Sequence, residues 1–163
     1  MAAVIRNATA ADAEAICRIY NPHVSGTIVT FEEVPVEPAV MAGRIADIQR
    51  AHVWLVACVG DAVAGYAYAG PWRTRAAYRH AVETTVYLAA EHTGRGLGRS
   101  LYEALLDELR RLRFHCAMGG VALPNAASVA LHERTGFVKV AHFREVGFKF
   151  GRWIDVGYWQ REL

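Results

Sequence analysis

The sequence predicts a single α/β or α+β domain with a mixed sheet. Segments rich in β-branched and aromatic residues alternate along the chain with segments whose apolar residues recur at helical spacing, which is typical of this class. No repeat, linker or charge block divides the 163 residues, so we expect one domain covering residues 1–163. With 53% hydrophobic and 21% charged residues, the composition excludes a disordered chain.

The N-terminal part predicts one strand followed by two helices. Residues 3–6 are typical of a short strand. After Thr9, apolar residues at helical spacing predict a first helix, and Pro22 is expected to end it. A second helix is expected to follow Pro38. The apolar face of this second helix consists of Met41, Ile45 and Ile48.

The middle of the chain predicts three strands and a third helix. Residues 52–59 and 63–71 are rich in β-forming residues, and Gly60 and Asp61 between them indicate a hairpin turn. Residues 83–88 are typical of another strand. A glycine-rich turn follows, and then leucines recur at helical spacing. These leucines are Leu101, Leu105, Leu109 and Leu112.

The C-terminal part predicts a strand, a helix and a final pair of strands. Residues 115–121 are typical of a strand, and residues 125–135 of a helix. Gly136 follows that helix in the position where a left-handed cap is needed. Residues 137–146 and 154–161 complete the sheet.

Charge and cysteine content exclude several classes of protein. Lys and Arg number 18 and Asp and Glu 16, a net charge of +2 that is too balanced to indicate a nucleic-acid surface. Cys17, Cys58 and Cys116 are odd in number and widely spaced, which argues against a disulfide framework and a CxxC metal site. The histidines lack metal-ligand spacing, so no metal is expected. With no apolar segment long enough to cross a bilayer, we expect a cytoplasmic protein that binds neither membrane nor nucleic acid.

The glycine-rich turn is the most informative segment for function. Residues 93–100 have the sequence TGRGLGRS between a strand and a helix, where backbone N–H groups and the helix dipole can bind a phosphate. A dinucleotide fingerprint would need glycine where Arg99 stands, and a Walker loop would need a Gly-Lys pair that is absent. Arg95 and Arg99 favour an anion such as a pyrophosphate, although a simple glycine-rich connector is the alternative reading.

This turn resembles the acetyl-CoA loop of the GNAT acetyltransferases, written Arg/Gln-x-x-Gly-x-Gly/Ala. Gly96 and Gly98 match it, while Thr93 stands where Arg or Gln is usual. Residues 123–133 resemble the family's second cofactor element, in which an asparagine opens a helix beside the pantetheine arm. The resemblance implies a GNAT fold, a mixed and mostly antiparallel sheet flanked by about four helices. The residues it assigns to acetyl-CoA are Val86, Tyr87, Leu88, Thr93, Gly94, Arg95, Gly96, Leu97, Gly98, Arg99, Asn125 and Ser128.

The similarity is greatest to the branch of phosphinothricin and methionine sulfoximine/sulfone N-acetyltransferases. Five segments between residues 72 and 161 carry it, and the final tract is the most specific because its order of Lys, Gly, Trp and Asp has no general fold reason to recur. The resemblance implies direct transfer of an acetyl group, in a ternary complex, to the α-amino group of a small anionic amino-acid analogue. The segments are residues 72–78, 83–88, 96–102, 123–133 and 146–161.

Two residues are candidates for proton transfer. An α-amino group is mostly protonated at pH 7, so amide formation needs a general base. The resemblance assigns this role to Glu83, whose pKa burial would raise and an ion pair with an arginine such as Arg79 would lower. His132 stands where many family members carry a tyrosine that acts as general acid near the sulfur, and the resemblance implies that this histidine can donate the proton instead; a structural histidine is the alternative. A backbone N–H of the strand at residues 86–88 is expected to bind the acetyl oxygen.

Arginines indicate where an anionic acceptor would bind. No acidic residue lies between Asp61 and Glu83, a stretch with three arginines, and arginine forks bind carboxylates or phosphinates in a bidentate manner. A solvated basic loop is the alternative. The predicted substrate-binding residues are Phe31, Glu32, Arg73, Arg75 and Tyr78, with Phe31 and Glu32 as the opposite wall and Glu32 meeting the ammonium group.

Some alternatives remain open at this stage. Lys149, Trp153 and Asp155 are consistent either with packing of the last strands or, as the resemblance implies, with a homodimer contact that completes the neighbouring pocket. An acetyltransferase acting on a protein N-terminus or a polyamine would favour an open or acidic groove. A non-enzymatic acyl-CoA sensor would keep the glycine turn and lack the chemistry.

Overall fold

A computed structural model describes residues 3–163, which form one seven-stranded sheet and four α-helices. The strands are β1 (Val4–Asn7), β2 (Trp54–Val59), β3 (Ala62–Pro71), β4 (Ala81–Leu88), β5 (Cys116–Ala122), β6 (Val138–Lys149) and β7 (Arg152–Glu162). The helices are α1 (Ala13–Gly26), α2 (Pro38–Gln49), α3 (Leu97–Arg111) and α4 (Ala126–Arg134). In its described part, no helix of the chain combines the length and apolarity that a membrane crossing requires.

The sheet is mixed and mostly antiparallel, as the sequence predicts. Its strand order is β1-β2-β3-β4-β5-β7-β6, and β4–β5 is the parallel pair among residues 3–163. This pair is short, since the paired residues run only from Ala81 and Cys116 to Glu83 and Met118. Beyond Glu83 the two strands are no longer paired, and a groove opens inside the sheet.

Helices cover both faces of the sheet and produce two apolar clusters. Along β2, Leu55 and Ala57 face α3, while Trp54 and Val56 face α1 and α2. Because successive side chains of a strand point to opposite faces, a strand buried on both faces has an almost continuous apolar sequence. The predicted leucine stripe of α3 is buried from Leu101 to Leu109. Leu112 follows the end of α3 and is exposed.

Helix α1 corrects one sequence prediction, because it passes through Pro22 and continues to Gly26. Proline removes one backbone hydrogen bond from a helix interior. Tertiary contacts offset this loss: Val24 is buried in the cluster between α1 and α2, and the Asn21 side chain binds the backbone N–H and carbonyl of Val36 at 2.8 and 3.0 Å. The local sequence therefore predicts that α1 ends at Pro22, but tertiary packing stabilises the helix as far as Gly26.

The final hairpin is longer than the sequence predicts. Strand β6 extends to Lys149 and meets β7 through Phe150 and Gly151, whose φ angles are +52° and +71°. The extension places Gly147 and Lys149, which are both buried, opposite the loop between α1 and α2.

Candidate active site

The groove between β4 and β5 exposes backbone donors along one edge of β4. Ala89 donates its N–H to the carbonyl of Ala64 at 2.9 Å, in register with the β3–β4 pair. Hydrogen-bonding direction alternates along an antiparallel strand, so Val86 and Leu88 direct their N–H groups away from β3. On that side β5 pairs no further than Glu83 in the described residues. The edge is suited to binding a carbonyl or an amide of an extended ligand.

The glycine-rich turn leads into the start of α3, where backbone N–H groups are free for an anion. Gly94 and Gly96 have φ angles of +72° and +81°, which glycine adopts without a steric cost, and Gly96 caps α3. The first N–H groups of a helix have no partner within the helix, so this end attracts phosphate. A Cβ on Gly98 would lie 3.3 Å from Leu88 Cδ1, so glycine lets α3 start close against β4.

The polar side chains of the turn have distinct roles. Thr93 donates its hydroxyl to the carbonyl of Ala90 at 2.8 Å, so it shapes the turn where the family usually has a longer side chain. Arg99 is exposed and pairs with Glu103 at 2.7 Å. Arg95 lines a surface cavity of about 380 Å³ beside the start of α3. Of the two arginines, Arg95 is therefore the one whose side chain is not engaged by a carboxylate among residues 3–163.

The start of α4 closes the other side of the groove. The Asn125 side chain accepts a hydrogen bond from the Ser128 N–H at 3.1 Å, as an N-cap does. Asn125, Ser128 and His132 line a cavity of about 80 Å³ together with Val86 and Gly120. The structure therefore brings the two predicted cofactor segments, β4 and the start of α4, to one narrow groove.

His132 is held by hydrogen bonds to both ring nitrogens. Its Nδ1 lies 2.7 Å from the Ser128 carbonyl, which only accepts, so Nδ1 carries the proton. Nε2 is then the acceptor for the Tyr102 hydroxyl at 3.0 Å. Burial lowers the pKa of His132, which favours this neutral state. In this arrangement both ring nitrogens are engaged within the protein, and the role of His132 as an acid stays a prediction.

A second cavity, of about 480 Å³, adjoins the groove. Val29, Gly120 and Ala122 line both spaces, so the two cavities are adjacent. The lining combines one acidic and one basic side chain with apolar walls. The lining residues are Val29, Phe31, Arg73, Glu83, Gly120, Ala122, Phe143, Val146, Val156 and Tyr158.

Glu83 faces this cavity as a largely desolvated carboxylate. Burial raises its pKa, while a hydrogen bond from Tyr158 and the charge of Arg73 act in the opposite direction. The Tyr158 hydroxyl donates to Oε1 of Glu83 at 3.3 Å. Glu83 forms no ion pair within the described part of the chain, and a raised pKa makes a carboxylate a stronger base.

Gly120 makes room for this contact. It is the register partner of Tyr158 across β5 and β7. A Cβ on Gly120 would lie 3.1 Å from the Tyr158 ring and 3.2 Å from Oε1 of Glu83. Both distances are tight, so a larger residue would displace one of the two side chains.

Glu32 does not reach the cavity, which corrects the expectation that it meets the substrate ammonium. Its carboxylate accepts two hydrogen bonds from Arg44, at 2.6 and 3.0 Å, and one from Tyr20 at 2.5 Å. The Arg44 guanidinium holds the pKa of Glu32 below its usual value. With these partners, the Glu32 carboxylate anchors the loop that carries Phe31.

The four other predicted substrate residues separate into two groups, and Phe31 belongs with Arg73 in the group that lines the cavity. Arg73 lines the cavity and its guanidinium lies 4.0 Å from the centre of the Trp72 ring. Arg75 and Tyr78 lie in the exposed loop between β3 and β4, and neither lines the cavity. The structure thus places Arg73 at the site, although Arg75 is the arginine that matches the resembled branch best.

Comparison with known proteins agrees with the geometry. Residues 5–157 match the family described as an acetyltransferase (GNAT) domain. The chain is a GNAT N-acetyltransferase. It is 42% identical to a phosphinothricin N-acetyltransferase of Streptomyces viridochromogenes, over 98% of this chain and 87% of that protein. It is 38% identical to an L-methionine sulfoximine/L-methionine sulfone acetyltransferase of Salmonella typhimurium, over 98% and 94% of the two chains.

A solved structure provides a third comparison. A GNAT phosphinothricin acetyltransferase from Sinorhizobium meliloti, in complex with AcCoA, has a TM-score of 0.95 and 38% identity to this chain. The match covers 100% of this chain and 89% of that one. Within residues 3–163, no group of three or more His, Cys, Asp or Glu side chains is arranged to hold a metal ion.

Sequence reasoning missed the contribution of the final hairpin to this GNAT site. Tyr158, Val156 and Phe143 all line the cavity, yet the sequence drew attention to other residues of that tract. The alternation of β7 does place Tyr158 and Val156 on one face. That this face meets Gly120 depends on the β5–β7 register, which no local pattern encodes.

We predict that Tyr158→Phe moves the acidic limb of the pH profile of kcat/KM to higher pH. The Tyr158 hydrogen bond favours the ionised form of Glu83, so its loss raises the pKa of Glu83 and delays formation of the base as pH increases. The measurement is kcat/KM against pH, with Tyr78→Phe in the exposed loop as the matched control. An acidic limb that stays in place or moves to lower pH would contradict the assigned contact.

Proposed function

We propose that this enzyme transfers the acetyl group of acetyl-CoA to the α-amino group of a small anionic amino-acid analogue. Phosphinothricin and methionine sulfoximine or sulfone are the proposed acceptors. The observation that carries the proposal is one cavity that holds a desolvated carboxylate, Glu83, an arginine, Arg73, and apolar walls, next to the groove along β4. The printed names of the relatives, at 42% and 38% identity, support the same acceptor class.

Acetyl-CoA would bind along β4 and the start of α3. The glycine turn fits a pyrophosphate through the free N–H groups of Leu97, Gly98 and Arg99, with Arg95 as an additional cation. The N–H groups of Val86 and Leu88 fit the pantetheine arm and the thioester oxygen. The backbone of Tyr87 belongs to the same edge, while its ring packs against Tyr20 and His23 on the other face.

Glu83 is the proposed general base. It would take a proton from the acceptor's ammonium group, so that the neutral amine attacks the thioester carbon, forms the amide bond and displaces the thiolate. No cysteine lines either cavity in residues 3–163, which favours direct transfer over a covalent enzyme intermediate. The shared walls of the two cavities are consistent with a ternary complex.

His132 is proposed to position the groove rather than to donate a proton. A hydrogen-bonded chain runs from the Thr84 hydroxyl through Tyr102 to His132 and the Ser128 carbonyl. This hydrogen-bonded chain connects β4, α3 and α4 next to the position proposed for the sulfur of acetyl-CoA. A thiol has a pKa of about 8.5, so the departing thiolate can take its proton from water at neutral pH.

Arg73 is the proposed anchor of the acceptor's acidic group, and the apolar walls would contact its methyl or methylene groups. Arg75 and Tyr78 remain proposed outer contacts, since they lie on the exposed loop that continues from Arg73. A polyamine or a basic peptide end would need an acidic cavity. This lining carries one carboxylate and one guanidinium, which favours a zwitterionic acceptor with an additional anionic or polar group.

Glu83→Gln is predicted to lower kcat by about 10²- to 10³-fold while acetyl-CoA still binds. The measurement is a thiol-release assay with methionine sulfone, methionine sulfoximine and phosphinothricin, together with calorimetric binding of acetyl-CoA. Glu91→Gln, an exposed carboxylate beyond the same strand, is the control and should keep wild-type kcat. A wild type that binds acetyl-CoA and acetylates none of the acceptors would favour the sensor alternative.

The same variant should not lose thermal stability at pH 8. The folded pKa of Glu83 lies above its unfolded value, so ionising it costs stability as pH rises through that interval. Glutamine removes this cost, and we expect an equal or higher Tm. A large decrease in Tm would instead assign Glu83 a structural role.

Arg73→Gln is predicted to raise the KM for the acceptor by about ten- to hundredfold, because a charge-assisted hydrogen bond contributes about 1.5–3 kcal/mol. Arg75→Gln is the matched control, with an expected change of less than about threefold. Initial rates at saturating acetyl-CoA measure both values. The reverse order of effects would show that Arg75 is the anchor.

The chain is also proposed to form a homodimer through the β6–β7 hairpin. Seven of the fourteen exposed large hydrophobic side chains of residues 3–163 lie on this hairpin, at the edge of the sheet. Two of them, Phe143 and Val146, also line the acceptor cavity, so a second copy would cover its open side. Lys149 is instead buried within its own chain, and Asp155 binds His142 at 2.7 Å.

Trp153→Lys is predicted to shift the protein from dimer to monomer and to lower activity. Trp153 is 63% exposed, and a lysine there places a charge in the proposed contact. Light scattering after size exclusion measures the mass, and Val40→Lys on α2, an apolar residue that is 53% exposed, is the control. A wild type that is monomeric at assay concentration would contradict this contact.

A further inference from the structure

Lys149 is a buried lysine that forms no salt bridge in the described chain, and the charge of Glu33 opposes only in part the effect of burial on its pKa. Its side chain is 2% exposed, and Nζ donates a hydrogen bond to the carbonyl of Thr30 at 2.8 Å. Lysine is almost never fully buried unless it is paired, because removing its charge from water is costly. Burial accordingly lowers the pKa of Lys149. The hydrogen bond from Lys149 to Thr30 joins the end of β6 to the loop between α1 and α2, in spite of the cost of burying the lysine.

Gly147, two residues earlier on β6, contacts the next residue of the same loop. A Cβ built on Gly147 would overlap the ring of Phe31, so the ring packs directly on the glycine backbone. Residues 147 and 149 lie on the same face of the strand, and both are buried. Strand β6 therefore holds Thr30 through its carbonyl and Phe31 through its ring.

Helices α1 and α2 hold the loop from its other side. The Thr30 hydroxyl lies 2.7 Å from the Tyr20 hydroxyl, which donates to the Glu32 carboxylate. Arg44 binds both oxygens of Glu32. Phe31 lies between Thr30 and Glu32, which are both anchored by these hydrogen bonds. Of these three residues, Phe31 is the one that lines the acceptor cavity.

We propose that Lys149 and Gly147 are positioning residues that set acceptor specificity through Phe31. They hold the ring as a fixed wall, so the cavity accepts a compact side chain, such as one ending in a methyl sulfone, and rejects a bulky one. This inference rests on the proposed function. It assigns the selectivity for the acceptor to the contact between β6 and Phe31. Glu32 also helps to fix this wall, because it anchors the loop that carries Phe31.

The test compares Lys149→Met with Lys139→Met, a lysine on the same strand that is exposed. Lys149→Met should raise the KM for methionine sulfone by about tenfold and increase the relative kcat/KM for phenylalanine. The KM for acetyl-CoA and the kcat for methionine sulfone should change less than about twofold, because the groove and Glu83 are untouched. Lys139→Met should resemble the wild type in all four values.

A double variant tests whether Lys149 acts through the ring. In a Phe31→Ala background, adding Lys149→Met should change the ratio of the two acceptors no further, since the wall is already absent. If Lys149→Met changed the acceptor ratio further in the Phe31→Ala background, the proposal that Lys149 acts through the Phe31 ring would be overturned. A Lys149→Met enzyme that loses kcat for both acceptors alike with unchanged KM values, which a purely structural role predicts, would overturn it as well.

Amide hydrogen exchange gives a readout that needs no activity. Lys149→Met should increase exchange in residues 28–33 and leave exchange in α3 unchanged, while Lys139→Met should alter neither. Unchanged exchange in residues 28–33 would overturn the inference even if the wild type acetylated none of the acceptors. If Lys149→Met is too unstable to purify, Gly147→Ala displaces the same ring, and an unchanged acceptor ratio in that variant would overturn the inference.

Discussion

The site depends on the early separation of two parallel strands. Strands β4 and β5 pair over residues 81–83 and 116–118 and then diverge, which leaves backbone groups of β4 unpaired inside the protein. Buried backbone groups without partners are costly, so the opening needs support. Thr84 and Tyr102 provide it: their hydroxyl groups are in contact, and the Thr84 hydroxyl also lies 3.1 Å from the carbonyl of Met118. With His132 they fill the angle between the strands and leave the edge of β4 open to a ligand.

Charged residues near the acceptor cavity differ in role because their partners differ. Glu32 and Glu83 are both site residues predicted from the sequence, and either could be a base on residue type alone. Arg44 neutralises Glu32 and lowers its pKa, whereas burial without an arginine partner raises the pKa of Glu83. A poorly solvated carboxylate costs stability when it ionises, and the same cost makes it a stronger base than an exposed carboxylate.

Much of the fold and part of the site could be predicted from local patterns. The strands and helices, the glycine turn and the caps at Asn125 and Gly136 depend on residues close in sequence, and they appear where the patterns place them. The helix end at Pro22 and the length of the final hairpin are exceptions: the Asn21 contacts with Val36 and the burial of Val24 outweigh a local preference, and β6 extends to Lys149. Among the site residues, Glu83 and Arg73 were named from the sequence and line the cavity.

The sequence by itself determined the order of the elements, the glycine-rich turn and the family, because these depend on spacing along the chain. Tertiary structure decided which side chains share the cavity. Tyr158 reaches Glu83 because strand register places it opposite Gly120, and Phe31 becomes a wall because β6 extends to Gly147 and Lys149. These contacts join residues that are far apart in the chain, so their physical basis is packing and register, which no local pattern contains.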